Sequence, residues 1–179
     1  LDTGRLALVI ADVSGKGIPA ALLMSNLQAA VKAFAGVCGG PAELCERVNR
    51  MICGNATPGR FITFFYGVLE TAARRLTYCN AGHNPPLLLR SDGTMLHLDQ
   101  GGMVLGLFIA ASYVQAEVEL KPGDVALLFT DGVSEAMNDA EQEFGEERLF
   151  GLLAENRGAG AQTMQQAIMD SVTGFCERN

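Results

Sequence analysis

The sequence predicts a layered α+β domain whose mostly antiparallel sheet packs against helices. Hydrophobic residues make up 49% of the 179 residues and charged residues 18%, a balance typical of a chain that folds around a core. The apolar residues repeat with a helical period in some segments and with a strand period in others. The predicted order is one strand, two helices, a series of strands and two final helices. Strands bracketed by helices in this way are typical of the α+β class.

The first part of the chain predicts a strand followed by two helices. Residues 5–11 (RLALVIA) form a continuous apolar run, as expected of a strand that is buried on both faces. Pro19 then stands where the first turn of a helix accepts proline. Apolar residues spaced three or four apart predict a helix over residues 20–35, and a second helix over 42–53 follows a glycine-rich break.

The remainder predicts strands and then helices. Aromatic and β-branched residues, strict alternation and turn-forming glycines identify the strands, and helical periodicity identifies the helices. The predicted strands cover residues 61–70, 75–80, 87–90, 95–98, 113–120 and 125–130, and the predicted helices cover 146–155 and 162–177.

Composition excludes several classes of protein. Thirteen Lys and Arg against twenty Asp and Glu give a net charge of −7, which argues against nucleic acid or an anionic membrane as the main partner. No apolar run approaches the ~20 residues of a membrane-spanning helix. The five cysteines lack zinc-site spacing, so we expect free thiols in a reducing cytoplasm. The length suits one domain over residues 1–179, and the start at Leu1 suggests a piece of a longer protein.

Two aspartates are the main candidates for chemistry. LALVIAD and VALLFTD both resemble buried strands that end on a carboxylate, at Asp12 and at Asp131. If the strands are neighbours, the two carboxylates repel each other, and a divalent cation such as Mg²⁺ or Mn²⁺ removes that repulsion. The alternative is that each aspartate caps the turn or helix that follows it.

Two further motifs carry less weight. Gly15-Lys16-Gly17 does not match a nucleotide-binding P-loop, because no Ser or Thr follows at the required place. Its glycines either let the backbone pass close to a metal or ligand, or simply make the turn. His83 lies in the loop NAGHNPP, where no nucleophile accompanies it. We expect His83 and its neighbouring Asn side chains to bond buried backbone groups in that turn.

Six motifs in order resemble one known family. They are DVSGKGIPAALLMS, FFYGVLE, NAGHNPPLLLR, GMVLGL, GDVALLFTDGVSEAMN and FGEERL, spread between residues 6 and 149. They are similar to the PPM-type (protein phosphatase 2C-like) metal-dependent phosphatases, in particular to the bacterial branch with the stage II E sporulation phosphatase and the sigma-factor regulators. The resemblance implies an α-β-β-α sandwich of two mainly antiparallel sheets flanked by helices. It also implies hydrolysis of phosphoserine or phosphothreonine with two Mn²⁺ or Mg²⁺ ions.

The resemblance also assigns residues. Asp12 matches the aspartate that bridges both metals, Val13 the residue whose carbonyl binds one metal, and Asp131 an aspartate on the other metal; Gly132 supports the turn behind it. A hydroxide held between two cations would be the nucleophile. Family members carry two further acidic ligands, in a Gly-Gly-Asp motif and an Asp-Asp-x-Thr-Leu strand, and residues 1–179 contain neither. We therefore expect a domain that is truncated at both ends relative to the family.

The implied partners are a phosphoserine on an anti-anti-sigma-type protein, an upstream sensor or receiver domain, and a second copy in a homodimer, all in the cytoplasm. Two other functions stay open: a non-catalytic module that binds the same partner, and a hydrolase of small phosphate esters. Asp12 and Asp131 favour an enzyme over a binding module, because a module that only binds a partner has no reason to keep metal ligands.

Overall fold

The computed structural model describes residues 1, 3–55 and 59–177, and the chain divides into two compact units. The first unit comprises Leu1–Pro85 and Leu98–Leu120, and the second comprises Pro86–His97 and Lys121–Asn179. The elements are, in chain order, β1 (Arg5–Val13), α1 (Ile18–Phe34), α2 (Pro41–Asn55), β2 (Ile62–Glu70), β3 (Arg75–Ala81), β4 (Leu87–Leu89), β5 (Met95–His97), β6 (Gly101–Gly102), β7 (Ala116–Glu119), β8 (Val125–Leu127), α3 (Asp131–Ser134), α4 (Glu146–Glu155) and α5 (Ala161–Cys176).

The first unit is a sheet packed against α1 and α2. β1, β2 and β3 are consecutive antiparallel neighbours, and β3 also pairs with β7 antiparallel and with β6 in parallel. The helical period of α1 and α2 directs one row of apolar side chains onto the sheet. The core that results joins Leu23, Leu27, Leu44, Val48 and Ile52 of the helices to Ile62, Phe64 and Tyr66 of β2.

The prediction of a first strand is confirmed, but its burial on both faces is wrong. Leu6 is 52% exposed and Val9 46% exposed. Among the described residues β1 pairs with β2 alone, so it is an edge strand, and successive side chains of a strand point to opposite faces. A continuous apolar run therefore did not require two covered faces.

The predicted strand over residues 113–120 is shorter than expected. β7 begins only at Ala116, opposite Tyr78 of β3. Beyond Tyr78, β3 pairs with β6 and no longer with β7, since Asn80 lies opposite Gly101. The alternation of half-buried and exposed residues within β7 agrees with the prediction of one solvated face.

The second unit has its own three-stranded sheet and core. β4 pairs antiparallel with both β5 and β8, and the β4–β5 hairpin turns at Gly93, whose φ of 93° favours glycine. The predicted strand over 125–130 ends early, because β4 offers only Leu87–Leu89 as partners. α3 then begins at Asp131 and was not predicted. The core of this unit comprises Leu87, Leu89, Phe129, Phe144, Leu149, Leu153, Met164, Ile168 and Phe175.

The predicted helices are confirmed within two residues at each end, and residues 146–155 match α4 at both ends. None of the helices in the part of the chain that the structure describes combines the length and apolar character needed to cross a membrane.

Candidate metal centre

Asp12 lies at the end of β1, in the first unit, opposite Thr63 of β2. Its side chain is exposed to solvent. It makes no hydrogen bond or ion pair to any of the described residues, and α1 has no side-chain cap. The structure therefore gives no support to the alternative that Asp12 is a cap, and the carboxylate is available to a metal ion.

The carbonyl of Val13 points away from β2. The Ser14 N–H donates to the Phe61 carbonyl at 3.0 Å, and none of the peptide bonds between described residues is cis. Because the C=O and N–H of a trans peptide point in opposite directions, the Val13 carbonyl faces the side of β1 that β2 does not occupy. The Val13 side chain itself is buried in the core.

Ser14 and the two glycines shape the turn that follows. Ser14 Oγ accepts from the Phe61 N–H at 2.8 Å, and the Ser14 carbonyl accepts from Arg60 Nη1 at 2.8 Å. Gly15 has φ of 88° and Gly17 φ of 80°, which is the left-handed region that favours glycine. A Cβ at Gly15 would also collide with the Arg60 guanidinium. At Gly15, close approach and turn formation therefore act together.

Asp131 is the first residue of α3, in the second unit. Its backbone carbonyl accepts from the Glu135 N–H at 2.7 Å. Its carboxylate makes no hydrogen bond or ion pair within residues 3–55 and 59–177, and α3 has no side-chain cap. A Cβ at Gly132 would meet only Thr130 Oγ1, at 3.8 Å, so the turn has room for a side chain at that position.

The His83 loop is held by the buried side chain of Asn80. Asn80 Oδ1 accepts from the His83 N–H at 2.7 Å, and Asn80 Nδ2 donates to the carbonyls of His83 at 3.0 Å and Leu98 at 3.2 Å. The predicted role of an Asn side chain in this turn is confirmed for Asn80. The His83 ring instead forms a hydrogen bond of 2.8 Å between Nδ1 and Thr63 Oγ1. Thr63 is the residue of β2 that lies opposite Asp12.

Sequence reasoning missed Arg60, Ser14 and Thr63. Thr63 and His83 are 20 positions apart, and Arg60 and Ser14 are 46 apart. The pairing of β1 with β2 brings Arg60 to Ser14, and the pairing of β2 with β3 brings Thr63 to His83. No local spacing in the sequence carries these registers.

Two cysteines are poor nucleophiles for physical reasons. A hydrogen bond with Cys79, together with burial, raises the pKa of the Cys45 thiol well above its usual value. Burial and the nearby Glu43 carboxylate raise the pKa of Cys38. The raised pKa keeps both thiols protonated near neutral pH. Because the thiolate is the reactive form, both side chains are weak nucleophiles.

The residues present fit a hard divalent cation by their chemistry. Carboxylate and carbonyl oxygens, as at Asp12, Val13 and Asp131, are the ligands that Mg²⁺ and Mn²⁺ prefer. No group of three or more His, Cys, Asp or Glu side chains suited to a metal ion occurs among the described residues. In each unit the oxygen donors are thus of the kind that such a cation prefers.

Comparison with known proteins identifies the family. The model of the family described as Stage II sporulation protein E (SpoIIE) matches residues 2–179. The phosphoserine phosphatase RsbU of Bacillus subtilis is 35% identical over 173 residues, which cover 96% of this chain and 51% of the relative. The chain thus spans about half of that relative's length.

Solved structures show the same fold. The SiaA-PP2C domain of Pseudomonas aeruginosa superposes with a TM-score of 0.81 at 18% identity, over 98% of this chain and 75% of that one. The catalytic domain of the serine/threonine phosphatase PstP, in complex with two manganese ions, gives 0.63 at 18% identity, over 97% and 84%. The predicted α+β class is confirmed by these likenesses. The family model matches almost the whole of this chain. The chain therefore belongs to the SpoIIE family, the PPM-type branch that the chain's motifs resemble.

Proposed function

We propose that the chain is the catalytic domain of a metal-dependent protein phosphatase that hydrolyses phosphoserine or phosphothreonine. The observation that carries the proposal is Asp12: an exposed carboxylate without a partner among the described residues, on a backbone that the sheet holds in place. Membership of the SpoIIE family and the 35% identity to a phosphoserine phosphatase support the activity. We treat residues 1–179 as a single PPM-type domain.

Two Mn²⁺ or Mg²⁺ ions are the proposed cofactors, with Asp12, the Val13 carbonyl and Asp131 among their ligands. Bound in such a site, the ions supply a hydroxide near neutral pH and neutralise charge on the phosphoryl oxygens. The protein's own contribution is to fix the backbone of Asp12 and Val13 at the end of β1, while leaving the Asp12 carboxylate uncommitted. Gly15, Gly17 and Gly132 are the proposed supporting residues of the two loops.

The proposed substrate is a phosphoserine on an anti-anti-sigma-type signalling protein. The support is the likeness to RsbU, a phosphoserine phosphatase. An upstream sensor or receiver domain and a second copy of the chain are the proposed regulatory partners. The five free cysteines agree with action in a reducing cytoplasm.

The test is phosphate release by the full-length protein with saturating Mn²⁺. Three substrates are compared: a phosphorylated anti-anti-sigma protein, a phosphoserine peptide, and p-nitrophenyl phosphate. We expect kcat/KM to be highest for the protein and activity to disappear with EDTA. Turnover of p-nitrophenyl phosphate alone would indicate a small-ester hydrolase instead. Binding of the phosphoprotein without phosphate release would indicate a non-catalytic module.

A further inference from the structure

Ser14 is the residue where β1 leaves the sheet, and all of its polar groups are engaged. Its N–H donates to the Phe61 carbonyl at 3.0 Å. Its hydroxyl accepts from the Phe61 N–H at 2.8 Å, and its carbonyl accepts from Arg60 Nη1 at 2.8 Å. Three hydrogen bonds to two adjacent residues therefore fix one residue of the loop.

The hydroxyl of Ser14 takes over a bond that its backbone would otherwise make. In a regular antiparallel ladder, Ser14 and Phe61 would exchange two backbone hydrogen bonds. Here the Phe61 N–H bonds to Ser14 Oγ, which leaves the Ser14 carbonyl outside the ladder. The Arg60 guanidinium accommodates that carbonyl, and a cationic donor forms a stronger bond than a neutral one.

Fixing Ser14 also fixes its neighbours. The peptide plane between Val13 and Ser14 is set by the Ser14 N–H, and the plane between Ser14 and Gly15 is set by the Arg60 bond. The same guanidinium lies in the space that a Cβ of Gly15 would need. Arg60 thus lies against two successive residues of the turn, Ser14 and Gly15, directly after Asp12 and Val13.

We propose that Arg60 is a positioning residue that orients Asp12 and the Val13 carbonyl for metal binding. This inference rests on the proposed function, because it assumes that these two groups bind the metal. Arg60 acts through Ser14 and does not itself need to contact the ion or the substrate. Its loss leaves the Ser14 carbonyl without its donor and frees the turn to adopt other orientations.

The experiment compares Arg60→Gln with Arg50→Gln in the full-length protein. Arg50 is a matched control, since it lies on the exposed surface of α2 and its ion pair with Glu46, at 3.9 Å, is long. Mn²⁺ affinity is measured by calorimetry. Hydrogen exchange of metal-free protein is measured on peptides that contain Ser14 and Phe61. We expect Arg60→Gln to weaken Mn²⁺ binding about tenfold and to speed exchange of these amides about tenfold, with no change for Arg50→Gln.

The outcomes separate the two proposals. Equal Mn²⁺ affinity in wild type and Arg60→Gln overturns the role of Arg60 and leaves the phosphatase proposal intact. A wild-type protein that binds no Mn²⁺ overturns both. If Arg60→Gln does not fold, Arg60→Lys, which keeps a cationic donor, takes its place. For Arg60→Lys, weaker Mn²⁺ binding than wild type together with faster exchange supports the proposal, and wild-type affinity overturns it.

Discussion

Asp12→Asn should separate catalysis from folding. The substitution keeps the size of the side chain and removes its charge. Because the Asp12 side chain is exposed and makes no hydrogen bond or ion pair to the described residues, the free energy of unfolding of the metal-free protein should change by no more than about 0.5 kcal/mol. If Asp12 is a metal ligand, kcat should instead fall by at least about a hundredfold.

The magnitude follows from what the carboxylate would do. A hundredfold loss corresponds to about 2.7 kcal/mol of transition-state stabilisation, since tenfold in rate is about 1.4 kcal/mol. Metal-held charge stabilisation supplies several kcal/mol, so the hundredfold figure is a lower bound. An amide oxygen is a weaker ligand for a hard cation than a carboxylate, and Mn²⁺ affinity should fall together with kcat.

The assay is turnover of p-nitrophenyl phosphate and of a phosphoserine peptide at saturating Mn²⁺, alongside urea unfolding without metal. Asp99→Asn is the matched control, because Asp99 is also an exposed aspartate of the first unit, whose carboxylate accepts a hydrogen bond from the side chain of its neighbour Gln100. Turnover within about threefold of wild type would refute the metal-ligand assignment. A loss of more than about 2 kcal/mol in stability would refute the reasoning from exposure.

Three further predictions concern the fold. Asn80→Ala should lower the free energy of unfolding, measured in urea, by about 3 kcal/mol, because three buried hydrogen bonds disappear. Phe144→Ala should lower the free energy of unfolding by about 3–5 kcal/mol. Phe144 is 1% exposed, and its ring packs edge-on against Phe175 with 5.4 Å between the ring centroids. Burial alone raises the pKa of Asp124, but hydrogen bonds from the Lys121 backbone, Arg90 and the Ser91 backbone outweigh it and lower the pKa below the usual 3.8. The Asp124 carboxylate therefore stabilises the fold above about pH 4. This contribution is lost as pH falls through the folded-state pKa, so the difference in free energy of unfolding between wild type and Asp124→Asn should become smaller in acid.

Most of the fold could be predicted because most of it rests on local patterns. The apolar spacing in α1 and α4 and the glycine turn at Gly93 each depend on a few neighbouring residues. The ends of β7 and β8 could not be predicted, because they depend on partners. β7 begins where β3 changes partner, and β8 ends where β4 runs out of residues.

The candidate site divides in the same way. Asp12 stands out in the sequence because a strand pattern stops at a carboxylate, and the structure places it at the end of β1. Ser14, Arg60 and Thr63 gave no signal, because a serine, an arginine and a threonine have no distinctive spacing. Their relation to Asp12 is a matter of register between β1 and β2, which arises from the packing of the whole sheet.

The contrast between Asp12 and Asp124 argues most directly for a ligand role. Asp124 is 2% exposed, and its carboxylate accepts from Arg90 at 2.6 Å, from the Lys121 N–H at 2.9 Å and from the Ser91 N–H at 3.0 Å. A carboxylate that stabilises a fold is satisfied in this way, because burying it without partners would be costly. At Asp12 the hydrogen bonds go to the adjacent backbone, through Ser14, and none that the structure describes goes to the carboxylate. A fixed backbone beneath an uncommitted carboxylate is compatible with metal binding, since the carboxylate gives up no existing bond when it binds an ion.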